Sequence, residues 1–113
     1  MKLKLSKKEK NIYYHGSPYQ LNYLKENCDF TPYKEVAVAF GSKPICLSVN
    51  DDIISFNGSV FPVYLYQIDE DIKFEVDFFD RPNSAFEKGY ELRAKRNIKL
   101  RLIEVICKTN FPF

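Results

Sequence analysis

Histidine occurs once in this chain, at position 15, inside the block Tyr13-Tyr14-His15-Gly16-Ser17-Pro18. A single imidazole limits the chemistry available. A Ser-His-Asp triad, a Cys-His dyad and a histidine-ligated hydrolytic metal each require one, so at most one of them could exist. No G-x-S-x-G elbow surrounds a serine. Cys28, Cys46 and Cys107 form no C-x-x-C pair. A structural zinc, which needs four ligands at recognisable spacing, is therefore not expected, and neither is any other metal. Neither G-x-G-x-x-G nor G-x-x-x-x-G-K-[ST] is present, which excludes the phosphate cradles of the dinucleotide-binding and P-loop folds. A lone histidine at a strand end serves either as a hydrogen-bonded structural residue or as a ligand contact. The block by itself leaves both readings open.

The remaining charged residues are more diffuse. Residues 1–10 carry five Lys and one Glu, whereas Asp69 to Asp80 holds six acids and one Lys. Charge blocks of this kind are usually solvated, and a net charge of +2 does not imply a polyanionic partner. Arg81, Arg93, Lys95 and Arg96 could contact a diphosphate or simply keep strands in water.

The elements that must position His15 follow from the apolar pattern. A chain of 113 residues is one domain by length, and 45% apolar with 28% charged residues is near the globular average. Eighteen aromatics, ten Phe and eight Tyr, favour strands. Residues 1–10 are expected as a loosely held basic arm and 11–113 as a single domain. Asn11 to Tyr14 reads as a short strand entering a turn, with Gly16 supplying freedom for positive φ. Tyr19 to Asn27 suits one or two helical turns. Val36 to Phe40 reads as a buried strand closed by Gly41. Ser42 is placed as the cap of a short helix with Pro44 in its first turn. Strands are also expected at Phe61–Ile68, Ile72–Val76, Tyr90–Ala94 and Ile98–Cys107. In the last of these Ile98, Leu100, Leu102 and Ile106 share a face, and Lys99 and Arg101 the other. Cys46 and Cys107, inside apolar runs, are expected in the core. About six short strands with two small helices make an α+β or mostly-β domain. No apolar run reaches the roughly 18 residues of a spanning helix, so no membrane partner is expected. The basic N-terminus lacks the apolar centre of a signal peptide, which makes the cytoplasm the expected compartment.

The block ending in Tyr14-His15-Gly16-Ser17-Pro18 resembles the first motif of the ADP-ribosyltransferase superfamily. The similarity is to its histidine-bearing branch, the diphtheria-toxin and poly(ADP-ribose) polymerase type, and to small bacterial and phage proteins with a Y-H-G-S opening. In that family a second strand supplies an aromatic followed by small residues and a short helix. Val38-Ala39-Phe40-Gly41-Ser42, then Lys43 to Val49, is similar to this. A third motif sets a glutamate at the start of a late strand, and Gly89-Tyr90-Glu91-Leu92-Arg93-Ala94 resembles it. Phe40 stands where the family usually has tyrosine, and Gly89 where arginine- and asparagine-modifying relatives carry Gln or Glu. The resemblance implies an α+β fold of small split antiparallel β-sheets with short helices, NAD+ as co-substrate, and mono-ADP-ribosyl transfer or NAD+ hydrolysis. It implies Glu91 as the catalytic carboxylate on the ribose 2′-hydroxyl and Phe40 as the ring stacking nicotinamide. Tyr13, Tyr14 or Tyr90 would supply a second face. His15 would bond the adenosine-side ribose, the Gly16 backbone would pair with the carboxamide, and Ser17 would support either contact. The macromolecular acceptor, protein or nucleic acid, stays open, as does the oligomeric state. Two alternatives remain: a non-catalytic bacterial or phage interaction protein that keeps the fold, and RNA 2′-phosphotransferase-like chemistry.

Overall fold

The computed structural model describes residues 1–110. In chain order the strands are β1 (Lys2–Lys4), β2 (Tyr14–Ser17), β3 (Tyr23–Leu24) and β4 (Asp29–Phe30). A single α-helix, α1 (Lys34–Gly41), separates these from β5 (Leu47–Asn50), β6 (Ile53–Phe56), β7 (Val63–Ile68), β8 (Phe78–Asp80), β9 (Leu92–Ala94) and β10 (Ile98–Ile106). A 3-10 turn, Lys108–Asn110, follows. The strands form three antiparallel sheets in the orders β1-β6-β5, β2-β7-β10-β3 and β4-β9-β8. The coarse α+β expectation of small antiparallel sheets with a short helix describes this architecture.

Strand β10 forms where alternation was strongest: Ile98, Leu100 and Ile106 are buried, while Lys99 and Arg101 face water. Its register against β7 shifts between Leu102 and Glu104, and at this bulge Leu102 turns half out of the core rather than sharing the buried face. One apolar core gathers Leu3, Leu5, Ile54, Val63 and Leu65 around α1. A second gathers Phe30, Phe78, Leu92, Tyr66 and Ile98 between the two sheets built on β9 and β10.

Several expectations are corrected. Val36 to Phe40 is helix, not strand, and Val36, Ala37, Val38 and Ala39 are all buried. A helix enclosed on more than one side shows no polar stripe, so its sequence reads like an interior strand. Burying each valine is worth about 1.5 kcal/mol or more, which exceeds the few tenths that β-branching costs a helix. Ser42 closes this helix instead of opening another: its N–H donates to the Val38 and Ala39 carbonyls, and its Oγ donates to Ala39 O at 2.7 Å. Residues 1–6 of the expected arm are not loose. Lys2–Lys4 pairs with β6, and Leu3 and Leu5 are buried. Ser6 donates both its N–H and its hydroxyl to the Glu35 carboxylate. Tyr19–Asn27 contains β3 and no helix, and Ile72–Val76 contains no strand. Cys46 and Cys107 are exposed, Cys46 lying just before β5 and Cys107 just after β10.

Candidate functional site

β2 and α1 approach each other more closely than side chains normally allow. A Cβ on Gly16 would stand 1.9 Å from the Ala37 carbonyl oxygen, and one on Gly41 would stand 2.8 Å from the Gly16 carbonyl carbon. Gly16 is therefore a packing glycine on a strand; among the described residues the only glycine at positive φ is Gly89. This contact brings the C-terminal end of α1, with Phe40 and Lys43, beside His15.

A cleft of about 510 Å³ opens there. Its walls include Tyr14, His15 and Gly16 from β2, Cys28 and Asp29 at β4, Phe40 and Lys43 at the end of α1, and Arg81 and Glu91 flanking the loop before β9. His15 and Glu91, 76 residues apart in sequence, thus meet at one site. Of the six residues singled out in the sequence, Tyr14, His15, Gly16, Phe40 and Glu91 line the cleft. Ser17 does not. It is buried, and its Oγ accepts the Tyr19 N–H at 2.9 Å, closing the turn after β2. Tyr13 sits in the second core against Phe30 and Phe78, and Tyr90 stacks on Tyr33 at 4.8 Å, so neither faces the cleft.

His15 Nδ1 lies 2.8 Å from the Asp29 carbonyl oxygen. A carbonyl only accepts, so Nδ1 carries the proton and Nε2 is left as an acceptor. Burial pushes the imidazole below its ordinary pKa of 6.5; Lys43 adds to this, while the Asp29 carbonyl and carboxylate oppose it. The ring is neutral at pH 7.

Glu91 is 5% exposed, and both its oxygens have partners. Arg81 Nη1 donates to Oε2 and Ser84 Oγ to Oε1, each at 2.6 Å. The Arg81 Nε also lies 3.5 Å from Asp29 Oδ2, and Arg93 Nε donates to Asp29 Oδ1 at 3.0 Å. The paired carboxylates hold the Arg81 guanidinium above its ordinary pKa, the Glu91 hydrogen bond being the largest cause. The loop carrying Arg81 and Ser84 is pinned to α1 by Phe86, whose ring lies 6.0 Å from Phe40 and 6.3 Å from Tyr90.

Asp29, Lys43 and Ser84 had no signal in the sequence: each gains its place through a tertiary contact. Among the described residues no cluster of His, Cys, Asp and Glu is arranged to hold a metal, and no helix is long and apolar enough to cross a membrane. The fold and cleft define a small α+β domain with one polar, histidine-lined site. No protein-family model, no curated protein and no solved structure matches the chain.

Proposed function

We propose that this cleft binds NAD+ and carries mono-ADP-ribosyl transfer or NAD+ hydrolysis, as the resemblance to the ADP-ribosyltransferase superfamily implies. The observation that carries the reading is the meeting of His15, Gly16, Phe40 and Glu91 in one cleft. Residues 38–49, where the resemblance sets an aromatic strand end and a short helix, hold instead the end of α1 and the start of β5. Phe40 then contributes from the far end of that helix.

The chemistry suits these groups. A neutral His15 with a free Nε2 accepts a hydrogen bond from a ribose hydroxyl. Lys43, which forms no ion pair among the described residues, places a cation at the cleft for a diphosphate. Breaking the bond between ribose C1′ and nicotinamide sends the bonding pair to the departing ring and leaves an oxocarbenium-like ribose. The Glu91 carboxylate would stabilise that charge, much as carboxylates do in glycoside cleavage. Water or an acceptor nucleophile then bonds to C1′ and releases its proton.

A second reading, an NAD+-binding module without turnover, is favoured by one feature: both Glu91 oxygens are already held, by Arg81 and Ser84. Incubation with adenylate-labelled NAD+ and a cell lysate separates the two. Label transfer or nicotinamide release that is lost in Glu91→Gln supports the enzyme. Saturable NAD+ binding without turnover supports the module. No binding at millimolar NAD+ contradicts both.

A further inference from the structure

A second cavity, of about 540 Å³, is lined by the opposite face of the β4-β9-β8 sheet from the first cleft. Strand alternation sends Asp29, Glu91 and Arg93 to one side, and Phe30, Phe78, Asp80 and Leu92 to the other. The floor of this cavity is aromatic and aliphatic: Tyr13, Pro32, Phe78 and Leu92. One wall is the Phe74 ring, held against Phe78 at 5.6 Å and 68° yet 51% exposed. An aromatic ring fixed in place and half in water gives a flat ligand a ready platform.

Lys8 and Lys10 stand at its rim. The segment is anchored upstream, with Leu5 buried and its N–H donating to the Asp52 carbonyl at 2.7 Å. The chain then turns at Asn11, φ 62°, with the Ile12 N–H bonded to Glu9 O. Neither lysine has an ion pair or side-chain hydrogen bond among the described residues. The acids nearby are Glu9 and Asp80; Asp80 Oδ1 accepts the Gly89 N–H at 2.9 Å. Half of the acidic segment that begins at Asp69 is paired elsewhere: Arg96 holds Glu70 and Asp77, and Lys99 lies 4.0 Å from Asp69.

We propose that this cavity is a nucleotide site, taking a base against Phe74 and its phosphate on Lys8 and Lys10. A π-face with unpaired cations beside it is the pairing by which single-stranded nucleic acid is held, and Asp80 offers an acceptor to a base amino group. The cavity size falls in the range of small-ligand sites. The same chemistry serves a free mononucleotide or the end of a single strand. Lys7, exposed and next to Lys8 in the chain, would continue the contact only for a strand. The inference does not rest on NAD+ binding in the first cleft.

The test measures binding of AMP and of a fluorescein-labelled single-stranded adenylate octamer at low salt. His15, the only histidine, serves as an NMR reporter on the first cleft. Saturable binding is expected, tighter for the octamer. Combined Lys8→Glu and Lys10→Glu should weaken it at least tenfold and Phe74→Ala about tenfold, with Phe74→Tyr restoring it, while any AMP shift of the His15 ring from the first cleft is unchanged by these substitutions. The phosphate contacts of Lys8 and Lys10 alone predict a slope of about −1.4 in log affinity of the octamer against log salt, steeper with each further lysine engaged. Competition by AMP identifies the free nucleotide as a ligand; binding of the octamer alone identifies the strand. Milder Lys8→Gln and Lys10→Gln changes replace the reversals should these fail to fold. The proposal is overturned by the absence of saturable binding of either probe at millimolar concentration. Binding that survives Phe74→Ala overturns it equally.

Discussion

Removing Arg81 should reveal how strongly the buried carboxylate of Glu91 depends on it. The Glu91 side chain is 4% exposed and the Arg81 side chain 40%, with Nη1 and Oε2 2.6 Å apart. A fully buried pair broken on one side costs about 3–5 kcal/mol, whereas exposed pairs are worth about 0.2–1 kcal/mol. Here one partner is buried and the other reaches water, and a hydrogen bond to a charged group is worth about 1.5–3 kcal/mol. Arg81→Ala should therefore destabilise by about 2 kcal/mol, a fall in Tm of about 8 °C for a domain of this size. Most of that cost arises from stranding a charge, so it should vanish when the charge is absent. In a Glu91→Gln background Arg81→Ala should cost less than about 0.5 kcal/mol, giving a coupling of about 1.5 kcal/mol in the double-mutant cycle. Thermal and urea unfolding of the four proteins measure this. Additive effects, or an Arg81→Ala melting point within about 2 °C of the parent, would refute the assigned role of the pair.

Three further outcomes follow from the structure. The His15 ring should titrate below pH 6.5 by NMR and show a protonated Nδ1 at pH 7. Because its folded pKa is depressed, the unfolded chain binds the proton first, so stability is full above about pH 6.5 and falls as pH drops through the folded value; His15→Asn should flatten that fall, and a midpoint at or above 6.5 would contradict the burial argument. Gly16→Ala must push a methyl into the Ala37 carbonyl. It should cost about 3 kcal/mol or more, read as a large loss of Tm or of folded protein, and a near-neutral effect would contradict the close contact of β2 and α1. Leu3→Ala and Leu5→Ala, at residues each 8% exposed, should each cost about 2–3 kcal/mol by urea unfolding; changes below about 0.5 kcal/mol would show that the N-terminal segment is a loose arm after all.

The site was legible where the chemistry was local. The alternation in Ile98–Leu100 announces β10 because one face is wet, whereas the strand expected at Asn11–Tyr14 lies three residues later, at Tyr14–Ser17, because His15-Gly16-Ser17 continues the pairing with β7 instead of turning. What was illegible depended on distant partners. The helix Lys34–Gly41 hid because it is buried on several sides, which erases the periodicity that separates helix from strand. The N-terminal lysines masked Leu3 and Leu5, whose burial arises only through pairing with β6, some fifty residues later. Gly16 was noticed for the wrong reason: it provides room for a helix rather than freedom for a turn. Glu91 could be singled out by position, but the clamp of Arg81 and Ser84 upon it could not, since a hydrogen-bond network has no sequence period.

Whether the cleft between β2, α1 and the loop before β9 takes NAD+ is read by titrating NAD+ into isotope-labelled protein and following the His15 ring, the Gly16 amide and the Glu91 side chain by NMR. Saturable shifts are expected at all three, with loss of the response at His15 when Phe40 and Lys43 are both replaced by alanine. Resonances that stay fixed to millimolar NAD+, or shifts confined to residues outside this cleft, would contradict it.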